Sequence, residues 1–176
     1  WSQTAKIAPS EVKAGDKFGS AVAISGQVAI IGAPFDNETL GAAYIFTYST
    51  SSGQWVQTAK LTPSAGGIGD NFGIAVDIDN NVAVIGAPGD GGNRGTAYIF
   101  TLSGSWSETT KITDPSNTVG DFFGHSVSVS GNTVVIGAYG DNAQATNSGA
   151  AYVYSLSGTW SQTAKLMQKS GTANAR

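Results

Sequence analysis

The chain has 176 residues, 40% of them hydrophobic, which is enough to bury a sizeable core. Its formal net charge is −3 and its charged residues are spread singly, so there is no basic stripe for nucleic acid and no polybasic run for a membrane surface. Without cysteine it has no disulfides, thiol nucleophiles or thiolate metal sites, and its apolar runs are only strand-sized, which argues against membrane insertion.

A pattern of about 50 residues is repeated three times, and its last part occurs a fourth time. Each of the four tryptophans opens a near-copy of one phrase, which occupies residues 1–7, 55–61, 106–112 and 160–166. The first three phrases are each followed by Gly-Asp-x-Phe-Gly, then Gly-Ala, then a glycine shortly before a tyrosine. A repeat of this length predicts that each copy forms one structural unit.

The first half of each copy predicts a hairpin. Its first strand follows Phe-Gly and alternates large with small side chains, as at residues 21–24. A two-residue turn such as Gly26-Gln27 comes next, because these residue types suit tight hairpins. The second strand, at residues 28–32 in the first copy, is apolar on both faces and is expected in the interior of a sheet.

The second half of each copy predicts two more strands after a loop of variable length. In the first copy, residues 42–46 lead from small residues into aromatics, and a Ser/Gly hairpin joins them to the tryptophan phrase. Alternation in that phrase predicts that Trp55, Gln57, Ala59 and Leu61 share one face. A charged residue on the other face discourages sheet-to-sheet pairing and marks this as the outermost strand. That residue recurs as Lys6, Lys60, Lys111 and Lys165.

Four antiparallel strands in about 50 residues, with both faces apolar, describe a β-propeller blade. We therefore predict an all-β fold of three four-stranded antiparallel meanders plus one extra N-terminal outer strand. The predicted units are residues 1–7 (extra strand), 18–61 (blade 1), 72–112 (blade 2), 123–166 (blade 3) and 167–176 (linker-like tail).

The order of these motifs resembles the FG-GAP repeat, the blade unit of the integrin α-subunit head and of many bacterial surface and secreted proteins. The residues that carry the likeness in the first copy are Phe-Gly at 18–19, Gly-Ala-Pro at 32–34 and Gly-Ala-Ala-Tyr at 41–44, and the likeness covers nearly the whole chain. The Trp-Ser-Gln-Thr-Ala-Lys phrase and the short turns are most similar to the bacterial type. The resemblance implies a non-catalytic module, extracellular or at the cell surface, for adhesion or ligand binding.

Integrin-like blades carry an Asp-x-Asp-x-Asp-Gly calcium loop between their first two strands, and this chain has only two-residue turns there. We therefore expect no calcium at that loop and predict no cofactor. A cation elsewhere would draw on oxygens such as those of Asp70, Asp90 and Asn93, but calcium takes six to eight oxygens and this spacing fits no known loop.

Three blades are too few to close a propeller, which needs about four to eight. The phrase at residues 1–7 also lacks the other three strands of a blade. We expect this phrase to complete a blade of another copy through Trp1, Gln3, Ala5 and Ile7, in a closed dimer of six blades or in an open head-to-tail series. The alternative is that the chain is a piece of a longer repeat array.

Six aspartates recur once per blade in loops that propellers place on one face of the disc. They are ligand-face candidates, although an aspartate beside glycine most often bonds to the backbone of its own turn. The two sets are Asp16, Asp70 and Asp121 before Phe-Gly, and Asp36, Asp90 and Asp141 after the second strand.

Nothing in the sequence builds a nucleophilic triad or a histidine metal site, because His125 is the only histidine and its position varies between copies. A carboxylate pair for glycoside hydrolysis stays open, but the polar loops do not predict the burial that would raise one pKa. We expect a protein that is not an enzyme. Asn37 lies in a glycosylation sequon.

The expected partner is another copy, with a surface protein or a glycan as further candidates. A carbohydrate-binding propeller formed by oligomerisation is the alternative function. It predicts an aromatic residue repeated in the ligand-face loops, and only scattered candidates such as Phe35 and Tyr139 occur.

Overall fold

The structure, a computed structural model, describes residues 2–142, 145–146 and 148–168. Within these residues, twelve strands form three antiparallel sheets of four, each with its strands side by side in chain order. The prediction of an all-β fold with three four-stranded meanders is confirmed. Each sheet is one blade. No described helix is long and apolar enough to span a membrane.

The strands of each blade follow the predicted order. Blade 1 has β1 (Val22–Ser25), β2 (Val28–Ala33), β3 (Ala42–Ser49) and β4 (Gln54–Leu61). Blade 2 has β5 (Ala75–Asp79), β6 (Val82–Ala87), β7 (Thr96–Ser103) and β8 (Ser105–Thr113). Blade 3 has β9 (Ser126–Ser130), β10 (Thr133–Ala138), β11 (Ala150–Ser157) and β12 (Thr159–Met167). Single helical turns follow β2 and β6, at α1 (Asp36–Thr39) and α2 (Asp90–Asn93).

A β-bulge interrupts the pairing of the third and fourth strands in every blade. In blade 1 the register shifts between Ile45 and Phe46, which leaves Thr58 as the extra residue. Trp55 therefore packs with the cluster around Tyr44, whereas Leu61 packs on the opposite side against blade 2. The prediction that Trp55 and Leu61 share one face was wrong, because an extra residue reverses the alternation along a strand.

The blades stack face to face through two distinct surfaces. We call the surface that packs on the preceding blade the leading face; in blade 2 it consists of Phe72, Val76, Ile78, Ile85, Tyr98 and Phe100. The surface that packs on the following blade is the trailing face; in blade 1 it consists of Ala21, Ala23, Ile30, Ala43, Ile45 and Leu61. Blades 2 and 3 meet in the same way, with Val84, Ala97, Ile99 and Ile112 against the Phe123 cluster.

Glycine allows the backbones of neighbouring blades to approach closely. A Cβ atom on Gly32 would lie 1.9 Å from the carbonyl oxygen of Gly73, and one on Gly86 would lie 1.8 Å from that of Gly124. Gly41 also forms a parallel bridge with Phe72, as Gly95 does with Phe123. The recurring glycines are therefore required by contact between blades as well as by turns.

The extra outer strand predicted at residues 1–7 is not a strand in the single chain. Trp1 lies outside the described residues, and residues 2–9 belong to no sheet. The physical reason is that β4 already completes blade 1, so this phrase has no sheet edge of its own to join. Ile7 nevertheless packs with Val12 and Phe18 on the cluster around Tyr44. The tail predicted at 167–176 begins inside β12, and residues 169–176 lie outside the described part.

Candidate functional site

The six recurring aspartates lie in two loops that contact each other in every blade. The amide of Phe35 donates to the backbone carbonyl of Asp16 at 3.2 Å, that of Gly89 to Asp70 at 3.1 Å and that of Gly140 to Asp121 at 3.2 Å. The loop before Phe-Gly and the loop after the second strand are thereby joined. The two sets of carboxylates face the same end of each sheet.

The second set forms an Asp–Tyr–Lys group in each blade. Asp90 accepts hydrogen bonds from the Tyr98 hydroxyl at 2.9 Å and forms an ion pair with Lys111 at 2.8 Å. The lysine ammonium also lies 5.2 Å from the centre of the tyrosine ring, within the range of a cation–π contact. The corresponding groups are Asp36–Tyr44–Lys60 and Asp141–Tyr152–Lys165.

The surroundings of these groups keep the phenols neutral. Burial raises the pKa of the Tyr44 and Tyr152 hydroxyls to about 12, and the hydrogen bond to an aspartate adds to the rise. Burial alone would raise the pKa of Asp90, but the Lys111 ammonium and the tyrosine hydroxyl outweigh it and hold the pKa below its usual value. Each aspartate is thus already bound by its own blade.

The first set closes the turn before Phe-Gly. One carboxylate oxygen of Asp16 accepts the amide of Lys13 at 2.7 Å, and Asp70 accepts the amide of Gly67 at 2.6 Å. Both aspartates are buried. Burial raises the pKa of Asp70, an effect that the Gly67 amide opposes. These two residues have the local backbone contacts of turn residues.

Blade 3 departs from this arrangement because it has an additional carboxylate. The amide that corresponds to those of Lys13 and Gly67 belongs to Thr118, and it donates to Asp114 at 3.0 Å. The Ser116 hydroxyl lies 2.7 Å from Asp114 and 2.5 Å from Asp121, although it has a single proton to donate. The second carboxylate oxygen of Asp121 is buried and has no hydrogen-bond partner among the described residues.

Burial is the main reason that the pKa of Asp121 is raised, and the nearby carboxylates of Asp114 and Asp141 add to the rise. Burial and the neighbouring carboxylates thus make protonation of Asp121 easier, and the protonated form would supply the second proton that the contact with Ser116 requires. This pair distinguishes blade 3 from its sister blades.

Aromatic residues lie together at this end of the molecule in blade 3, where Tyr139 and His125 are exposed and Phe122 is half-buried. The rings of Phe122 and Tyr139 are stacked with centroids 4.9 Å apart, and His125 meets Tyr139 edge-on at 4.8 Å. Phe35 in blade 1 is also exposed, beneath the Lys17 ammonium. These aromatics are not repeated at equivalent positions, as one sugar-binding pocket per blade would require.

The loops supply few groups for other chemistry. Among the described residues, no cluster of three or more histidine, aspartate or glutamate side chains is arranged to hold a metal ion. Asn37, the glycosylation candidate, is exposed within α1, where both Asn37 and Glu38 have positive φ. The ligand and glycosylation roles proposed for these loops stay predictions.

Sequence reasoning missed the partners of the second set of aspartates. Lys60, Lys111 and Lys165 were interpreted as charges that protect an edge, and the structure shows them in ion pairs. A usable signal was present, because aspartate, tyrosine and lysine recur together in all three copies. The role of Asp114 had no such signal, since Pro9 and Pro63 stand at the matching positions.

Stacked four-stranded sheets with Phe-Gly turns and paired loops at one end define a repeat protein of the β-propeller type. The family description "FG-GAP repeat" matches residues 1–46, 55–100 and 106–154, so the chain belongs to the FG-GAP repeat family. A search of curated proteins found no match to this chain.

Proposed function

We propose that this chain is a non-catalytic FG-GAP module, extracellular or at the cell surface, that serves adhesion or ligand binding and assembles with copies of itself. The family supports the general class of adhesion and ligand-binding modules. Loop carboxylates that are bound by their own blades favour a structural role for these residues over catalysis. Scattered aromatics give the carbohydrate-binding alternative less support than assembly has.

The observation that carries the assembly proposal is the placement of Ile7. It packs on blade 1 beside Phe18, as Leu61 packs on blade 2 in the cluster of Phe72 and as Ile112 packs on blade 3 beside Phe123. The N-terminal phrase thus ends in the position of a fourth strand of a preceding blade. The other three strands of that blade are absent from the described residues, and a second copy is the proposed source.

The two ends of the chain carry interchangeable versions of this phrase. Residues 1–7 and 160–166 differ only at their last position, where Ile7 corresponds to Leu166. The edge of β11 that pairs with β12 therefore suits the N-terminal phrase of another copy equally well. Such an exchange conserves the backbone hydrogen bonds of the blade, as in domain swapping.

The test is a proline substitution that blocks strand pairing. Ala5→Pro removes a backbone amide and thereby disfavours antiparallel pairing with β11, and residue 5 is exposed in the single chain, so the fold of the blades should be retained. We expect this variant to assemble more weakly than the unmodified chain, measured by light scattering on a gel-filtration column, because only the route that keeps β12 in place stays open to it. The control Ser10→Pro should assemble like the unmodified chain, since residue 10 is exposed and lies beyond the positions that pair in β12, and Pro115 stands at the equivalent position of the third copy. Equal assembly of both variants would contradict strand exchange.

A further inference from the structure

We infer that the leading face of blade 1 and the trailing face of blade 3 form a head-to-tail interface between two copies of this chain. The inference deepens the assembly part of the proposed function and rests on it. Its basis is that the chain already builds the same interface twice, between blades 1 and 2 and between blades 2 and 3. Within the described residues, both halves of a third interface have no neighbouring blade.

The leading face of blade 1 exposes apolar side chains that its sister blade buries. Val22 and Ile24 are 68% and 62% exposed, whereas the equivalent Val76 and Ile78 in blade 2 are 8% and 4% exposed. The difference arises because blade 1 covers the inner strand of blade 2, and no described residues cover that of blade 1 to the same extent. The N-terminal segment covers only the outer part, around Tyr44.

The trailing face of blade 3 shows the complementary difference. Leu166 is 55% exposed, whereas the equivalent Leu61 and Ile112 are 3% and 7% exposed. Val135 and Val153 are partly exposed, while the matching positions in blades 1 and 2 are completely buried. Their equivalents in blades 1 and 2 are buried in the interfaces with the following blade.

The glycines needed for close approach are also present on both free faces. Gly137 is equivalent to Gly32 and Gly86, which lie against a carbonyl of the next blade, but a Cβ on Gly137 would meet only the Ser126 hydroxyl of its own blade, at 2.2 Å. Gly19 has nothing within 4 Å, whereas its equivalent Gly73 lies against the carbonyl of Ala42 in the preceding blade. Gly137 does not have the positive φ that would require glycine by itself.

The hydrogen bonds between the inner strands of neighbouring blades also recur, and residues that could repeat them are present on both free faces. The Ser25 hydroxyl accepts the amide of Asn80 from blade 2 at 3.0 Å, and Asp79 accepts the amide of Gly131 from blade 3 at 2.7 Å. Ser130 holds the corresponding position on the trailing face of blade 3. The matching donor on a second copy is the amide of Gly26.

Docking also determines what happens to the N-terminal phrase. Leu166 of one copy and Ile7 of the next are equivalent, so they compete for one place beside Phe18. Either the N-terminal phrase pairs with β11, or β12 stays and displaces the phrase. Both routes bury the same two faces, so the interface does not depend on which phrase forms the strand.

The experiment uses two variants of the full chain, each blocked on one face. The leading-face variant is Val22→Asp with Ile24→Asp, and the trailing-face variant is Val153→Asp with Leu166→Asp. Because these side chains are at least partly exposed in the single chain, the variants should fold, which far-ultraviolet circular dichroism checks. The matched control is Ile68→Asp, in the loop before blade 2, where the side chain is 75% exposed.

We expect the unmodified chain and the Ile68→Asp control to associate with rising concentration, and each blocked variant to associate at least about 100-fold more weakly. An equimolar mixture of the two blocked variants has one intact leading face and one intact trailing face. It should form a one-to-one dimer and nothing larger, as measured by sedimentation velocity.

Three results would overturn the interface: an unmodified chain that stays single at all concentrations, blocked variants that associate like the control, or a mixture that fails to form the dimer. The last result would indicate contact between like faces. Strand exchange is distinguished by Ala5→Pro: its undiminished assembly with both faces intact would refute the exchange and keep the interface. Loss of assembly in Ala5→Pro together with normal assembly of the blocked variants would support the exchange and refute the interface.

Discussion

At the scale of single residues, the Asp–Tyr–Lys groups show how a loop is held to the outer strand of its blade. Asp90 follows β6, Tyr98 lies on β7 and Lys111 on β8, so one group connects three consecutive segments. The tyrosine hydroxyl also lies 2.8 Å from the carbonyl oxygen of Ala65, in the loop that leads from blade 1 to blade 2, so Asp90 and this carbonyl share its one proton. We conclude that these groups position the loop end of each blade.

The carboxyl pair of blade 3 leads to a prediction about pH. The pKa of Asp121 is raised in the folded chain, mainly by burial, so the folded chain binds this proton more tightly than the unfolded chain does. Its contribution to stability is therefore present below the ordinary pKa of an aspartate and is lost as the pH rises through the higher folded value. Asp121→Asn should stabilise the fold by about 1 kcal/mol at neutral pH, and the gain should shrink below about pH 4.

Urea unfolding at several pH values measures this difference. The control is Asp16→Asn, because Pro9 stands in blade 1 where Asp114 stands in blade 3, and the Asp16 carboxylate keeps its backbone amide. That variant should gain no stability at neutral pH. A loss of stability in Asp121→Asn at neutral pH would contradict the shared-proton account.

At the scale of strands and loops, the sequence predicted the regular elements better than their irregularities. The alternation after Phe-Gly and the turns at Gly26 and Asn80 placed the first two strands of each blade. The bulge at Thr58 was not predictable from alternation, because one extra residue leaves no mark in the pattern itself. Its effect is large, since it places Trp55 on the leading face while Leu61 stays on the trailing face.

The candidate site also combines features that the sequence predicts with features that it does not. The recurring aspartates and their placement in adjoining loops could be read from the repeats, since a position that recurs in register occupies the same place in each blade. The contacts of Asp114 depend on which backbone amide reaches which oxygen, and a single copy gives no pattern for that. The packing of Ile7 on blade 1 could be inferred from the repeated phrase. That its segment has no strand partner became clear only from the structure, in which β4 already completes blade 1.

The close approach of neighbouring blades gives a prediction with an internal control. A Cβ on Gly86 would lie 1.8 Å from the backbone oxygen of Gly124, so Gly86→Ala forces blades 2 and 3 apart and should cost about 3 kcal/mol or more. Gly137→Ala meets only the Ser126 hydroxyl, which can rotate, and should cost about 1 kcal/mol or less.

Both substitutions are best measured by urea unfolding in the Val22→Asp, Ile24→Asp background, where association does not add to stability. Equal costs at the two positions would contradict the assignment of Gly137 to a free face. In the unmodified background, Gly137→Ala should weaken assembly although it leaves the single chain stable.

At the scale of the whole molecule, the three blades form an open stack with two unlike ends. β5 contacts both β1 and β9, so the inner strands lie in series. In the proposed interface, a leading face at one end and a trailing face at the other would make a heterologous contact, which produces a ring if the rotation closes and a filament if it does not. The proposed assembly would therefore take its form from the blade geometry inside the chain.

The most direct test of this account is a disulfide between copies. The chain has no cysteine, so Val22→Cys in one chain and Ser128→Cys in another introduce a single thiol each. Their counterparts inside the chain, Val76 and Ala23, pack in one cluster between blades 1 and 2. We predict that mild oxidation of the mixture yields mainly the 22–128 cross-linked pair. Cross-linking only between like chains, or none where assembly is seen, would contradict head-to-tail joining of the two faces.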